Sequence, residues 1–244
     1  MLTDCNETST MTQARPSSVA LAPAPWDLSG QGYLFAVRLP RDVLDHGSFL
    51  PEGCPRLGRG RMAYAMFVDY SAGDVGPYHE LLYIPGALRI GQRRNLSISR
   101  IFVSTWVSVV NGETNWGIPK DRCDFDVQYG ADGIDRVALT AADGTASNTV
   151  IAEMELQARG PRLPAPGHWV PRSMRTLSQL REDKVYSYAP EARGHFRFAK
   201  VRNWRFDSRY FPDLARGEVV AAMKITDFRM IFPVADIEPL DVLS

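Results

Sequence analysis

Two short segments of this 244-residue chain carry residue types that can do carbonyl chemistry. One is Gly76-Pro-Tyr-His-Glu80, which runs on into Leu-Leu-Tyr-Ile-Pro85. The other is Asn111-Gly-Glu-Thr-Asn-Trp-Gly-Ile-Pro-Lys120. Lysine is scarce: of 28 basic residues only Lys120, Lys184, Lys200 and Lys224 are lysine, and the first 119 residues hold none. A lysine amine condenses with carbonyl compounds, whereas an arginine guanidinium stays charged and does not. Attack needs the neutral amine, which burial among apolar side chains favours. Pro119 fixes its own φ and pushes Ile118 towards extended geometry, so Lys120 stands on a stiff approach at the mouth of a strand. The competing reading is an ordinary solvated lysine.

In the first segment a strand over Tyr78–Ile84 puts Tyr78, Glu80 and Leu82 on one face and His79 and Leu81 on the other. A carboxylate beside a phenol and a leucine, on the face of a buried strand, is placed to carry a proton. The simpler alternative is a glutamate in water or paired with an arginine, since structural ion pairs also perturb carboxylates. His195 is isolated and reads as structural. Gly58-Arg-Gly60 is too short and too basic for a phosphate loop.

The elements that must position these residues read as mainly β. Strands are expected over Tyr33–Leu39, Met62–Tyr70, Tyr78–Ile84 and Ser97–Ser104. Cys123–Tyr129, Asp135–Ala141 and Thr149–Ala158 read as an antiparallel meander, and Gly194–Phe206 and Glu218–Phe232 close the chain. Arg41–His46 reads as one helical turn. Thr105 is a helix cap ahead of Trp106, Val109 and Val110 at i, i+3, i+4. A continued strand competes there, and Asn111-Gly112 is expected to stop either one. Residues 160–167, with three prolines, read as a loop, and Ser173–Asp183 as loop or one short helix. Residues 1–22 read as a disordered tail and 23–244 as a single domain.

Composition narrows the classes. Apolar residues make up 45% and charged residues 23%, as in an ordinary globular protein. The 28 basic residues balance 28 acidic ones, which argues against a nucleic-acid partner and against a polybasic membrane anchor. No run approaches the ~18 apolar residues of a spanning helix. Met1–Thr12 has neither a basic residue nor an apolar core, unlike a signal peptide, so the cytoplasm is the expected compartment. The three cysteines, Cys5, Cys54 and Cys123, form no metal-ligand spacing, and no metal and no cofactor are expected.

The ordered pair of motifs, Gly76-Pro-Tyr-His-Glu80 and then Gly112 through Trp-Gly-Ile-Pro-Lys120, resembles the acetoacetate decarboxylase superfamily. The run from Pro25-Trp26 through Tyr33-Leu-Phe-Ala-Val-Arg38 is similar to the start of that domain. The resemblance implies an α+β, β-dominated fold, a largely antiparallel sheet curled into a cone-shaped barrel with a few short helices. It implies that Lys120 forms a Schiff base with a keto substrate, that Glu80 handles protons, and that the protein is a homo-oligomer. Two departures mark a divergent branch. The second lysine that acetoacetate decarboxylases carry directly after the first is Asp121 here. The family's substrate-facing arginine falls near Gln31, and its second acidic residue falls near Ala63–Ala65.

The expected function is therefore a Schiff-base-forming lyase acting through Lys120 on a keto acid, ketone or aldehyde by decarboxylation, aldol or dehydration chemistry. Tyr78, Phe102, Trp116, Arg122 and Gln31 are the expected substrate-binding residues. Arg38, Arg100 and Arg122 are the candidates to replace the missing carboxylate clamp, Arg122 having the best position on the face of Lys120. The alternative is a non-catalytic β-barrel that kept the cavity and lost the chemistry.

Overall fold

Trp26–Arg38 alternates apolar and small residues over a length that can bend, and it becomes the long strand β1. The structure, a computed structural model, describes residues 15–141, 149–166 and 171–240. Helix α1 (Arg41–His46) follows, then β2 (Met62–Ala72), β3 (Tyr78–Ile84), β4 (Ala87–Ile90), β5 (Arg93–Leu96) and β6 (Arg100–Val103). Helix α2 (Trp106–Trp116) leads into β7 (Lys120–Tyr129), β8 (Asp135–Ala141) and β9 (Val150–Pro166). Helix α3 (Arg172–Arg175), β10 (Leu177–Arg181), β11 (Lys184–Tyr188), β12 (Glu191–Phe206), β13 (Glu218–Phe232) and β14 (Asp236–Pro239) complete the chain.

Among the described residues nine strands close into a barrel in the order β1-β13-β12-β9-β8-β7-β6-β3-β2, and β2 returns to β1. Every barrel pair is antiparallel except β6–β7, which is parallel because α2 crosses over between them. A five-stranded sheet, β14-β11-β10-β5-β4, packs beside the barrel. The β-dominated barrel with few helices is the architecture that the motifs implied. No helix of the described residues is long and apolar enough to cross a membrane.

Strand alternation divides the apolar residues into two cores. Tyr33, Phe35, Phe67, Leu81, Phe102 and Leu139 fill the barrel interior, which draws on all nine strands. Trp26, Leu28, Tyr70, Leu82, Ile101 and Trp116 form a second cluster, between the outer wall of β1, β2, β3, β6 and β13 on one side and α2 and the smaller sheet on the other. The residue parity that separates Glu80 from Leu81 thus decides which of the two cores a side chain enters.

Four sequence expectations change. Asn111-Gly112 does not stop the helix: α2 runs on to Trp116 and ends at Gly117, whose φ of 64° is the left-handed C-cap. Residues 160–166 are strand, not loop. Beyond Leu156, β9 keeps only β12 as a partner, so its prolines sit on a free edge where a missing N–H breaks no ladder. Leu177–Arg181, expected as loop or helix, is a strand paired with β11. Of the expected tail, residues 1–14 lie outside the described residues, while Ala20 and Ala22 are held on α2: Asn111 Nδ2 donates to Ala20 O at 2.9 Å and Ala22 N donates to Asn111 Oδ1 at 2.8 Å.

Candidate active site

Glu80 and Lys120 lie on strands that flank β6. Glu80 pairs with Val103 of β6, and Lys120 with Ile101 of the same strand. Two strand spacings across and a two-residue offset along β6 put their backbones roughly 12 Å apart, which two long side chains pointing off the same face can bridge. They do: Lys120 Nζ lies 2.9 Å from Glu80 Oε2, with residue exposures of 5% and 3%. An ion pair so completely removed from water needs further hydrogen bonds to hold. Lys120 Nζ donates a second one to Ser108 Oγ at 3.0 Å and sits 5.3 Å from the centre of the Tyr78 ring. The Tyr70 hydroxyl points at the other carboxylate oxygen, Oε1, at 3.5 Å.

The local chain path explains how the lysine arrives there. Thr105 caps α2, its hydroxyl accepting from Ser108 N at 3.3 Å. Ser108 and Gly112 are one turn apart and share a helix face. That face lies against the Lys120 side chain: Ser108 offers its hydroxyl, and Gly112 leaves room for the methylenes. Gly117 ends the helix, and the chain turns tightly at Pro119, where Lys120 N donates to Ile118 O at 2.9 Å. Strand β7 begins at the lysine itself.

The electrostatics follow from burial. Tyr70 and Tyr78 are held well above the ordinary phenol range, chiefly by burial and then by the negative charge of Glu80. Both phenols therefore stay neutral and can donate hydrogen bonds, and their rings stack at 4.5 Å. Asp121, next to the lysine, points the other way and pairs with Arg100. The carboxylate that follows Lys120 thus turns its charge away from the amine.

The site opens onto a cavity of about 620 Å³ lined mainly by apolar side chains, among them Leu34, Met66, Leu82, Ile118 and Met230. Tyr78, Glu80, Trp116 and Lys120 all line it. Trp116 is fixed by an edge-on contact with Trp26 at 4.7 Å and by a hydrogen bond from Nε1 to Pro233 O at 2.7 Å. Three expected binding residues stand elsewhere. Phe102 has the opposite parity from Ile101 and lies in the barrel interior beneath Arg100. Gln31 lines a separate polar depression with Asp69 and Arg229. Arg122 pairs with Asp124 and does not line the cavity, although it lies two residues from Lys120. Nor do Arg38 and Arg100 line it; they pair with Glu218 and Asp121. The arginines that do line it are Arg94 and Arg175, which sequence reasoning missed: Arg94 lies between the two motifs in a stretch given no element, Arg175 lies in a segment expected as loop or one short helix, and only the long-range pairing of the smaller sheet brings both to the cavity. Ser108 and Gly112 were missed because Asn111-Gly112 reads as a stop. Among the described residues, no three His, Cys, Asp or Glu side chains gather as metal ligands.

No protein-family model and no curated protein matches the sequence. Solved structures do. The chain is similar to acetoacetate decarboxylase from Legionella pneumophila, with 11% identity, 98% of each chain covered and a TM-score of 0.64. It is similar to the enduracididine biosynthesis enzyme MppR, with 14% identity, 92% of this chain and 91% of that one covered, and a TM-score of 0.63. An acetoacetate decarboxylase-like enzyme from Sphingomonas wittichii RW1 matches at 12% identity over 88% and 93% of the two chains, with a TM-score of 0.59. MppR has also been solved with pyruvate, and with the condensation product of pyruvate and imidazole 4-carboxaldehyde. At these identities the likeness is one of fold. The chain has the fold of the acetoacetate decarboxylase superfamily, as its two motifs implied.

Proposed function

We propose that the chain is a lyase that works through a Schiff base on Lys120. One observation carries this reading: a lysine amine and a carboxylate, both almost fully buried, meet at 2.9 Å on the wall of a large apolar cavity. The ion pair and its neutral form carry the same net charge, so moving the proton from Lys120 to Glu80 leaves the net charge of the cavity unchanged. The free amine then adds to a carbonyl carbon. The nitrogen passes one proton to the departing oxygen and Glu80 returns the other, water leaves, and an iminium remains. The iminium draws in the electron pair of a breaking bond at the neighbouring carbon, which makes an enamine. The enamine carbon takes a proton from water relayed by Glu80, and hydrolysis of the iminium frees Lys120. The same steps serve loss of carbon dioxide from a β-keto acid, retro-aldol cleavage and, run towards bond formation, aldol condensation. The condensation product found with MppR supports the last of these as a reaction to test first.

The test is borohydride trapping with a panel of keto acids, ketones and aldehydes. A reduced adduct on the peptide bearing Lys120, absent in Lys120→Ala, is the expected result. A second reading, a binding protein without chemistry, is favoured by Asp121, which leaves Lys120 without the adjacent cation that acetoacetate decarboxylases carry. Ligand binding to a folded protein with no adduct from any carbonyl compound supports that reading instead.

A further inference from the structure

We propose that the occupant of this cavity is amphiphilic, with its carbonyl at Lys120, an apolar body along the cavity and an anionic group at the rim held by Arg94; the carbonyl assignment rests on the Schiff-base reading. The cavity of about 620 Å³ suits a ligand of drug-like size. A short keto acid leaves most of that space to water against apolar walls, and the burial free energy that such walls offer goes unused. Glu80 neutralises Lys120 at the inner end, so nothing deep in the cavity attracts a second charge.

The rim differs. Arg94 lines the cavity, is exposed, and has no ion-pair partner among the described residues. Its neighbour Arg93 is held by Glu238 at 2.6 Å. Arg175, the other arginine at the cavity, is held by Glu191 at 2.7 Å and by the carbonyl oxygens of Ala189 and Pro190. Directly across the strand pair from Arg94 stands Arg89, also without an ion-pair partner among the described residues. Two like charges opposite each other on one face repel, unless an anion lies between or beside them. A carboxylate that accepts two parallel N–H bonds from the Arg94 guanidinium answers both facts. Arg94 is then the residue that sets specificity for the far end of the substrate.

The experiment traps three carbonyl compounds on the full chain: acetoacetate, a medium-chain methyl ketone, and the same ketone with a terminal carboxylate. Both long ketones are expected to trap better than acetoacetate, and the carboxylate form about tenfold better than the neutral one. Arg94→Glu should reverse that preference, and Arg94→Lys should restore part of it. Equal trapping of the two long ketones, or a preference that survives Arg94→Glu, overturns the role of Arg94. Acetoacetate trapping as well as the long ketones overturns the apolar body. Calorimetric titration with decanoate, which has no ketone to condense, separates this inference from the Schiff-base reading. Saturable decanoate binding that Arg94→Glu weakens supports the inference even where no adduct forms. Absent binding, or binding indifferent to Arg94→Glu, overturns it.

Discussion

A β-carbon added at Gly112 would stand 2.7 Å from Cε of Lys120 and 2.8 Å from its Cδ. The helix and the lysine therefore occupy one shared volume, and the glycine is what lets the side chain lie along the helix towards Ser108 and Glu80. The residue that reads as a helix breaker in the sequence is, in the structure, a space-maker for the amine.

Gly112→Ala sets two effects against each other. Alanine raises helix propensity by about 0.8–1 kcal/mol over glycine. Crowding a packed site costs about 1–3 kcal/mol. We expect a net loss of stability of up to about 2 kcal/mol, and a fall of at least roughly tenfold in imine trapping, because the lysine must shift away from its carboxylate. Urea unfolding and borohydride trapping read the two effects separately. A variant that gains stability and traps normally shows that the space is not limiting.

Glu80 and Lys120 should behave as a unit. Removing one member of a buried ion pair strands the other, at a cost of about 3–5 kcal/mol. Glu80→Leu and Lys120→Met should each lose roughly that much, and the double variant should lose less than the sum. Denaturant unfolding of the four proteins in the cycle gives the coupling. Additive losses would mean that the two side chains do not interact in solution.

A pH effect is expected at His79, on the other face of the Glu80 strand. Its ring packs against those of Phe67 and Phe125, at 6.3 and 5.7 Å between centroids. Burial holds it below the ordinary histidine range near 6.5, and Asp69 opposes that shift only in part. The unfolded chain then binds a proton at a higher pH than the folded one, so stability rises with pH across that window. The contribution is complete above about pH 6.5 and is lost as pH falls through the lower folded value. His79→Phe should flatten the stability profile between about pH 5 and 7. An unchanged slope in that variant assigns the dependence to other groups.

Much of the site was legible because strand alternation is a strict rule. The face shared by Tyr78, Glu80 and Leu82 is read from spacing alone, and all three line the cavity. Lys120 stood out by rarity and by the proline before it. Thr105 is legible as a cap because a hydroxyl ahead of apolar residues at helical spacing has one common use. What stayed hidden depends on long-range partners. Phe102 is one residue from Ile101, and only the β6 register shows that it points into the barrel. Gln31 shares β1 with Leu34 but lines a different depression. The smaller sheet joins β4 and β5 to strands more than eighty residues away, through a pairing of Leu96 with Leu177 that no local pattern announces. The cavity lies between that sheet and the barrel wall, so its arginines were out of reach of local reading.

Asp121→Lys tests whether the residue after the catalytic candidate can influence it. In the structure Asp121 pairs with Arg100, whose Nε also donates to Tyr210 O at 2.7 Å, and neither Asp121 nor Arg100 lines the cavity. A lysine at position 121 should extend along that path, towards Arg100 and away from Lys120. The substitution should then cost about 1 kcal/mol, by loss of a half-exposed pair and new repulsion. It should leave the reaction of Lys120 with amine reagents, followed against pH and resolved from Lys184, Lys200 and Lys224 by peptide mass, as it is in the parent chain. Faster labelling of Lys120 near neutral pH would place the new ammonium in the cavity and show that β7 can turn its second residue inwards. The absence of that effect means that a side chain at position 121 does not reach the amine, whose contacts are with Glu80 and Ser108.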